Sequence, residues 1–316
     1  MPKKQKKFAD DGWAIWVDGD DTSTVYINDW LNPKGKSYVD FAVRIRNVKV
    51  SNSLNVYVPF DVAKEEIDDV SLLFHDTKIL QATFSAACIV DFKKNEYTSE
   101  IAYNGKTVDI IHISTMDFTV KPLAEGTLIY MDLMPLQPAI DNDEAYLIWR
   151  MPHKTLDAVF KPRVNVGNAM SRLRDLVTSP VVSEKYGYSI RINESRLLPE
   201  QITRLGTFHR QKLKKAVIAI SIDEEYEMND SGTYRIRRLE ENLYRDYLPK
   251  DYRSENVITY NWNQSRKDNL KGHFNFYFNI ARNYISRGSM FLYMVLLMAI
   301  GVIGNLIAGY IMLLLE

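Results

Sequence analysis

Apolar and polar residues alternate with a period of two through the first half of this chain. YVDFAVRIRNVKV (38–50) sets Val39, Phe41, Val43 and Ile45 on one face. This is the pattern of a half-buried strand, whose successive side chains point to opposite sides of a sheet. Shorter runs follow: LNVYVPF, VSLLFHD, ACIVDFK, TVDIIHIS, FTVKP, TLIYMDL and AYLIWRM. Between them fall Asn104-Gly105, Pro59, Pro122 and Pro135, residue types that suit turns through positive or fixed φ. WAIWV (13–17) and TVYIND (24–29) flank Asp18-Gly19-Asp20-Asp21, which predicts a hairpin. Many short strands at regular spacing predict a mainly β domain, sandwich- or barrel-like, over 8–165.

Past residue 165 the pattern mixes periods. AMSRLRDLV (169–177), PEQITRLGTFHRQKLKK (199–215) and TYRIRRLEENLYRDYLP (233–249) predict helices. The second opens on Pro and Glu, and the third stops at Pro249. YSIRIN (188–193) and AVIAISI (216–222) predict strands. The expectation for 166–270 is therefore an α+β domain. Over 271–288, Phe274, Tyr277, Phe278, Ala281 and Tyr284 recur at helical spacing, predicting a juxtamembrane amphipathic helix. A strand is the alternative there, since Phe274, Phe276 and Phe278 also alternate.

From Met290 to Leu315 no side chain is charged. A helix needs ~20 apolar residues to cross a hydrocarbon core, so 289–315 predicts a single transmembrane helix, too short to cross twice. Gly301, Gly304, Asn305 and Ala308 fall at i, i+3, i+4 and i+7, on one helix face. Small residues allow close helix packing, and the Asn305 amide lacks partners in lipid, so self-association is expected. Arg266, Lys267, Lys271, Arg282 and Arg287 precede the span and Glu316 follows it. The positive-inside tendency then expects a single-pass protein of the cell inner membrane with its N-terminal domains cytoplasmic. The start, MPKKQKKFADDGW, has no apolar signal core, and one cysteine, Cys88, suits a reducing compartment. A tail anchor is the arrangement this implies.

Forty basic and forty acidic residues give a net charge of zero. The zero hides a split: 1–165 holds 19 Lys and Arg against 24 Asp and Glu, while 166–289 holds 21 against 15. An acidic distal half and a basic half near lipid suit attraction to anionic headgroups or a phosphate-bearing ligand. They argue against nucleic acid, which needs aromatics interleaved with a basic stripe.

The densest cations lie in 199–215. On one helix Thr203, Thr207, Arg210 and Lys214 would share a face beside Arg204, a set able to grip phosphate oxygens. Asp223, Glu224 and Glu225 follow a predicted strand, where carboxylates could hold Mg²⁺. His75 beside Asp76 is a possible acid/base pair. Cys88 sits among apolar neighbours and is expected to be a buried, inert thiol. GxxxxGK[ST], GxGxxG and GxSxG are absent, and no cofactor is implied.

The functional expectation is a non-enzymatic, membrane-tethered cytoplasmic sensor or effector. It would bind a protein partner or small ligand and act through a homo-oligomeric span, an architecture that suits membrane disruption in bacterial defence against phage. The alternatives are a tail-anchored enzyme with an acidic metal site and a membrane scaffold that recruits another protein.

Overall fold

The computed structural model describes residues 8–19, 23–84, 87–154, 181–208, 213–229, 235–249, 251–252, 256–265, 273–285 and 287–315. The strands, in chain order, are β1 (Phe8–Asp18), β2 (Thr24–Trp30), β3 (Tyr38–Ile45), β4 (Ser53–Val58), β5 (Cys88–Asp91), β6 (Thr98–Tyr103), β7 (Lys106–Ile111) and β8 (Phe118–Leu123). They continue with β9 (Gly126–Asp132), β10 (Ala145–Pro152), β11 (Val181–Ile192), β12 (Lys215–Asp223), β13 (Tyr226–Asn229), β14 (Arg235–Arg238), β15 (Val257–Ser265) and β16 (Phe274–Ile285). The helices are α1 (Thr77–Phe84), α2 (Glu200–Thr203), α3 (Glu241–Tyr244) and α4 (Arg287–Leu315).

The strands form two mixed sheets. One has seven strands in the order β13-β16-β11-β1-β4-β9-β8, and the other nine in the order β14-β15-β12-β2-β3-β10-β7-β6-β5. Alternation explains the layering. Val39, Phe41, Val43 and Ile45 of β3 are fully buried and meet Trp13 and Ile15 of β1 in one inter-sheet core. Trp13 stacks on Phe41 at 6.1 Å between ring centroids, and Trp262 of β15 meets Phe278 of β16 edge-on at 4.5 Å. Burying each such side chain contributes about 1.5–3 kcal/mol. The mainly β, sandwich-like expectation holds.

β1 is buried on both faces. Its Ala14 and Trp16 pack outward against Leu198, Ile202 and Phe208, around α2. That explains the continuous apolar run WAIWV, since a strand covered on both sides loses its alternation. β1 pairs with β11 through Trp13 and with β4 from Ala14 onward. Asn193, at φ 60°, bridges the change of partner: its amide accepts from the Ile15 N–H at 2.8 Å and donates to the Ile15 carbonyl at 3.0 Å.

Several expectations are corrected. The segments 13–17 and 24–29 are not a hairpin, because β1 and β2 lie in different sheets. A boundary at 165 does not divide the sheets: β11 pairs in parallel with β1, and β12 in parallel with β2. Each strand from the second part completes a sheet begun in the first. The helix expected over 199–215 is one turn, α2, and Lys215 already opens β12. The helix expected over 233–249 is β14 followed by the one-turn α3. The amphipathic helix expected over 271–288 is the strand β16, where Phe274, Phe276, Phe278 and Ile280 are buried and Asn275, Tyr277 and Asn279 exposed. Period two won there because β11 offers a full antiparallel ladder from Val181 to Ile192. The segment 169–177 lies outside the described residues.

α4 matches the predicted span. Met290–Leu315 runs 26 residues at mean hydropathy 2.3, with none of its most apolar window buried. It is about 39 Å long at 1.5 Å per residue, and is long and apolar enough to cross a membrane once.

Candidate functional site

Among the described residues the basic set does not converge. Thr203 and Arg204 flank the end of α2, where both bond back to Glu200. Thr207 accepts from the Trp16 indole N–H at 3.1 Å. Lys214 lies in the extended approach to β12, its N–H donating to the Ser23 carbonyl at 2.9 Å. Arg210 lies outside the described residues. The helix α2 ends at Thr203, so no described helix face carries Thr203, Thr207 and Lys214 together, and Phe208 is buried edge-on against Trp16.

The acidic set is matched to cations instead of a metal. Glu225 accepts from Lys34 at 3.0 Å and Arg282 at 2.7 Å, Asp223 lies 3.9 Å from Lys34, and Glu224 lies 3.7 Å from Arg238. Among the described residues no group of three His, Cys, Asp or Glu is placed to hold a metal ion. Lys34, foremost, holds the Glu225 carboxyl below its usual range. His75 and Asp76 do not pair: the His75 ring bonds the Leu72 carbonyl at 2.8 Å, and Asp76 caps α1 through the Lys78 N–H at 2.8 Å. Cys88 is buried, and burial pushes its thiol up. Gly301, Gly304, Asn305 and Ala308 all lie exposed on α4.

One histidine sits in a hydrogen-bonded chain. His112 is fully buried, with Nδ1 2.7 Å from Ser71 Oγ and Nε2 2.8 Å from Ser99 Oγ. Ser71 donates its hydroxyl proton to Asp69, so its oxygen must accept from Nδ1–H. Nε2 then accepts from Ser99, whose oxygen takes the Lys93 N–H at 2.8 Å. Burial pushes the imidazole pKa down, with Asp69 opposing and Lys93 adding. Ser99 and His112 have the spacing of a nucleophile and its base, but both are fully buried. The chain fastens the edge of the nine-stranded sheet to the segment before α1.

The cavity that joins polar groups to room for a ligand lies on the outer face of the nine-stranded sheet. α1 covers one part of that face and α3 another, and between them is a space of about 280 Å³. Small side chains leave the gap: Ala42 of β3, Ala82 of α1 and Ala219 of β12 all line it. Tyr26 and Tyr146 form one wall with rings 6.0 Å apart, and Tyr244 of α3 forms another. Burial pushes all three phenols up, so they stand as neutral donors.

Its floor carries Asn261, Ala219, Asn28 and Asp40, the middle of a line that crosses six strands and is polar but for Ala219. Arg235, Asn261, Ala219, Asn28, Asp40 and Arg150 are successive cross-strand neighbours in register on β14, β15, β12, β2, β3 and β10. The deep end is closed. Arg150 forks onto Asp40 at 2.5 and 2.9 Å, and Trp30 and Tyr247 donate to the same carboxylate at 2.6 and 2.7 Å. The outer end is open. The Asn261 side chain makes no hydrogen bond among the described residues, and the Asn28 side chain takes only a long one, 3.4 Å, from Ser221. Arg237, also lining the space, reaches Glu240 at 3.0 Å, while exposed Arg235 has no carboxylate partner among the described residues. Sequence reading passed over Asn28 and Asn261. The available signal was an amide inside a strand pattern, between Ile27 and Asp29 and between Tyr260 and Trp262, where Asn is depleted.

A larger groove, of about 740 Å³, lies between 61–66 and 117–122, but its cations are committed: Lys64 to Asp117 at 3.3 Å and Lys154 to Glu66 at 2.7 Å.

No protein-family model and no curated protein matches this chain. Among solved structures, the Fcho1 Mu homology domain of Danio rerio with bound Eps15 peptide aligns at 8% identity, covering 87% of this chain and 81% of that one. The TM-score is 0.12, so nothing about fold or binding is drawn from it.

Proposed function

We propose that this chain is a membrane-tethered binding protein. Its β body receives a small ligand in the aqueous phase, and α4 passes the event to the bilayer by associating with copies of itself. The observation that carries the tether is the apolar stretch Met290–Leu315, unburied along its most apolar window. Left in water, that surface would cost about 25 cal/mol for each Å² of apolar area. The cationic side chains before the span favour a cytoplasmic body at an inner membrane. Membrane disruption, as in defence against phage, is the output this reading assigns to an associated α4.

The tether is tested on the intact chain by ultracentrifugation after an alkaline wash. It should stay with the membrane pellet, and recovery as a detergent-free soluble monomer would overturn the reading. Association is tested with a two-hybrid reporter in membranes. Gly304→Ile and Asn305→Leu should each weaken the signal of the native span, and equal signals would sink the self-association step.

A further inference from the structure

We infer that the cavity between α1 and α3 binds a nucleoside monophosphate, its base lying against Ala219 and Asn28 and its phosphate at Arg235 and Arg237. The inference rests on reading the chain as a binding protein, and is independent of the tether.

Three features point to this class. The first is the pairing of amides with aromatic rings. An asparagine presents a donor and an acceptor side by side, matching the mixed edge of a nucleobase. Proteins that read unstacked bases combine such edges with aromatic side chains against the ring. Here Asn28 and Asn261 face the space, with Tyr26, Tyr146 and Tyr244 around it. The second is charge. Arg235 and Arg237 stand at alternate positions of the edge strand β14, on the same side, and pair in register with Asn261 and Thr259. Arginine forks suit phosphate oxygens. The third is size. At about 280 Å³ the space lies just below the usual range of ligand pockets, which excludes a large ligand. From Asn28 on β2 to Arg235 on β14 is three strand spacings, about 14 Å, a span met by a base, a ribose and a phosphate approached by an extended arginine.

A solvated gap between two short helices is the competing view. It leaves the polar row without a reason. The fold needs the Asp40–Arg150 end, which ties the segment just after α3 to the sheet through Tyr247. It does not need the Asn261 amide, whose side chain bonds none of the described residues, the Asn28 amide, held only by the long Ser221 contact, or Arg235 beside them. Asp40 is neutralised by Arg150, and Glu240 pairs with Arg237 at 3.0 Å with both side chains open to solvent, so a phosphate would compete with Glu240 at Arg237 while Arg235 stays open to it.

The test uses the full chain in lipid nanodiscs, titrated calorimetrically with AMP, GMP, CMP and UMP, with adenosine and inorganic phosphate as comparisons. At least one monophosphate should bind with Kd below about 1 mM. AMP should bind at least about tenfold more tightly than adenosine if charge-assisted bonds form. Arg235→Gln should bring AMP toward the adenosine value and leave adenosine unchanged. Ala219→Phe, which fills the floor, should abolish binding. Asn261→Leu is the second variant should Ala219→Phe misfold by circular dichroism, and it should weaken AMP about tenfold. The inference is overturned by no binding of any monophosphate, by equal affinity for adenosine and AMP, or by binding that survives both cavity variants. If those results come from chain that still pellets with membranes, the ligand class fails and the tether stands.

Discussion

Replacing Arg150 with Met would strand a buried carboxylate and should be among the costliest single changes in the β body. Asp40 is 3% exposed and Arg150 4%. The guanidinium forks onto the carboxylate at 2.5 and 2.9 Å and donates a third bond to the Tyr247 carbonyl at 2.7 Å. Burial alone would push the Arg150 pKa down, but Asp40 beside it more than offsets this and holds it up. Arg150→Met leaves Asp40 with only two neutral donors, the Trp30 indole and the Tyr247 hydroxyl. Removing one partner of a buried pair costs about 3–5 kcal/mol, a large share of a total near 5–15 kcal/mol. Asp40→Asn placed in the same chain removes the stranded charge and keeps an oxygen for both donors. The double variant should therefore cost at least about 1 kcal/mol less than the sum of the singles. Urea unfolding of the full chain in micelles, followed by far-ultraviolet circular dichroism, reads both quantities. A single-variant cost below about 1 kcal/mol, or strict additivity, would refute the placement of this pair in a closed, dry end.

Two further tests bear on the fold. Burial holds the His112 pKa below 6.5, so the unfolded chain takes up that proton first. Its contribution is flat above pH 6.5, and stability should fall as pH drops below it, by at most about 1.36 kcal/mol per unit. His112→Gln should flatten that slope between pH 7.5 and 5.5, and an unchanged slope would exclude His112 as its source. Glycine substitutions separate strain from space. Gly105 has φ 71° with nothing within 4 Å of an added Cβ, so Gly105→Ala should cost about 1–2 kcal/mol through backbone strain alone. A Cβ at Gly12 would sit 2.6 Å from the Leu197 carbonyl oxygen, so Gly12→Ala should cost more, and the reverse order in thermal unfolding would count against the β1 packing.

The elements legible in the sequence were those whose pattern is local. β3 announced itself because Val39, Phe41, Val43 and Ile45 alternate with residues that face the other side of the sheet. Asn104 and Gly105, at φ 49° and 71°, form the turn their types predict between β6 and β7. The apolar span was legible for the same reason. Helices were over-predicted wherever charged and aromatic residues recur at mixed spacing. In 233–249 Ile236 and Arg238 obey the strand ladder with β15, and only Glu241–Tyr244 closes a helical turn. In 274–285 the stripe at helical spacing coexisted with a period-two stripe, and only the partner strand decided between them.

The cavity was illegible for a different reason. Its row is assembled by register between strands far apart in the chain, and no local window contains two of its open polar members. Ser221 of β12 reaches Asn28 of β2 across 193 residues of sequence. That contact requires the parallel β2–β12 pairing, which no turn specifies. A slip of one residue in that pairing would send Asn28 into the inter-sheet core and Ile27 outward. The register is fixed by burial elsewhere: Val25 and Ile27 must face the core with Ala216, Ile218 and Ile220. Those apolar positions, each legible as strand interior, therefore place Asn28 beside Ala219 as a by-product, and through β15 bring Asn261 and Arg235 into the same line. The core selects the register, and the register writes the row.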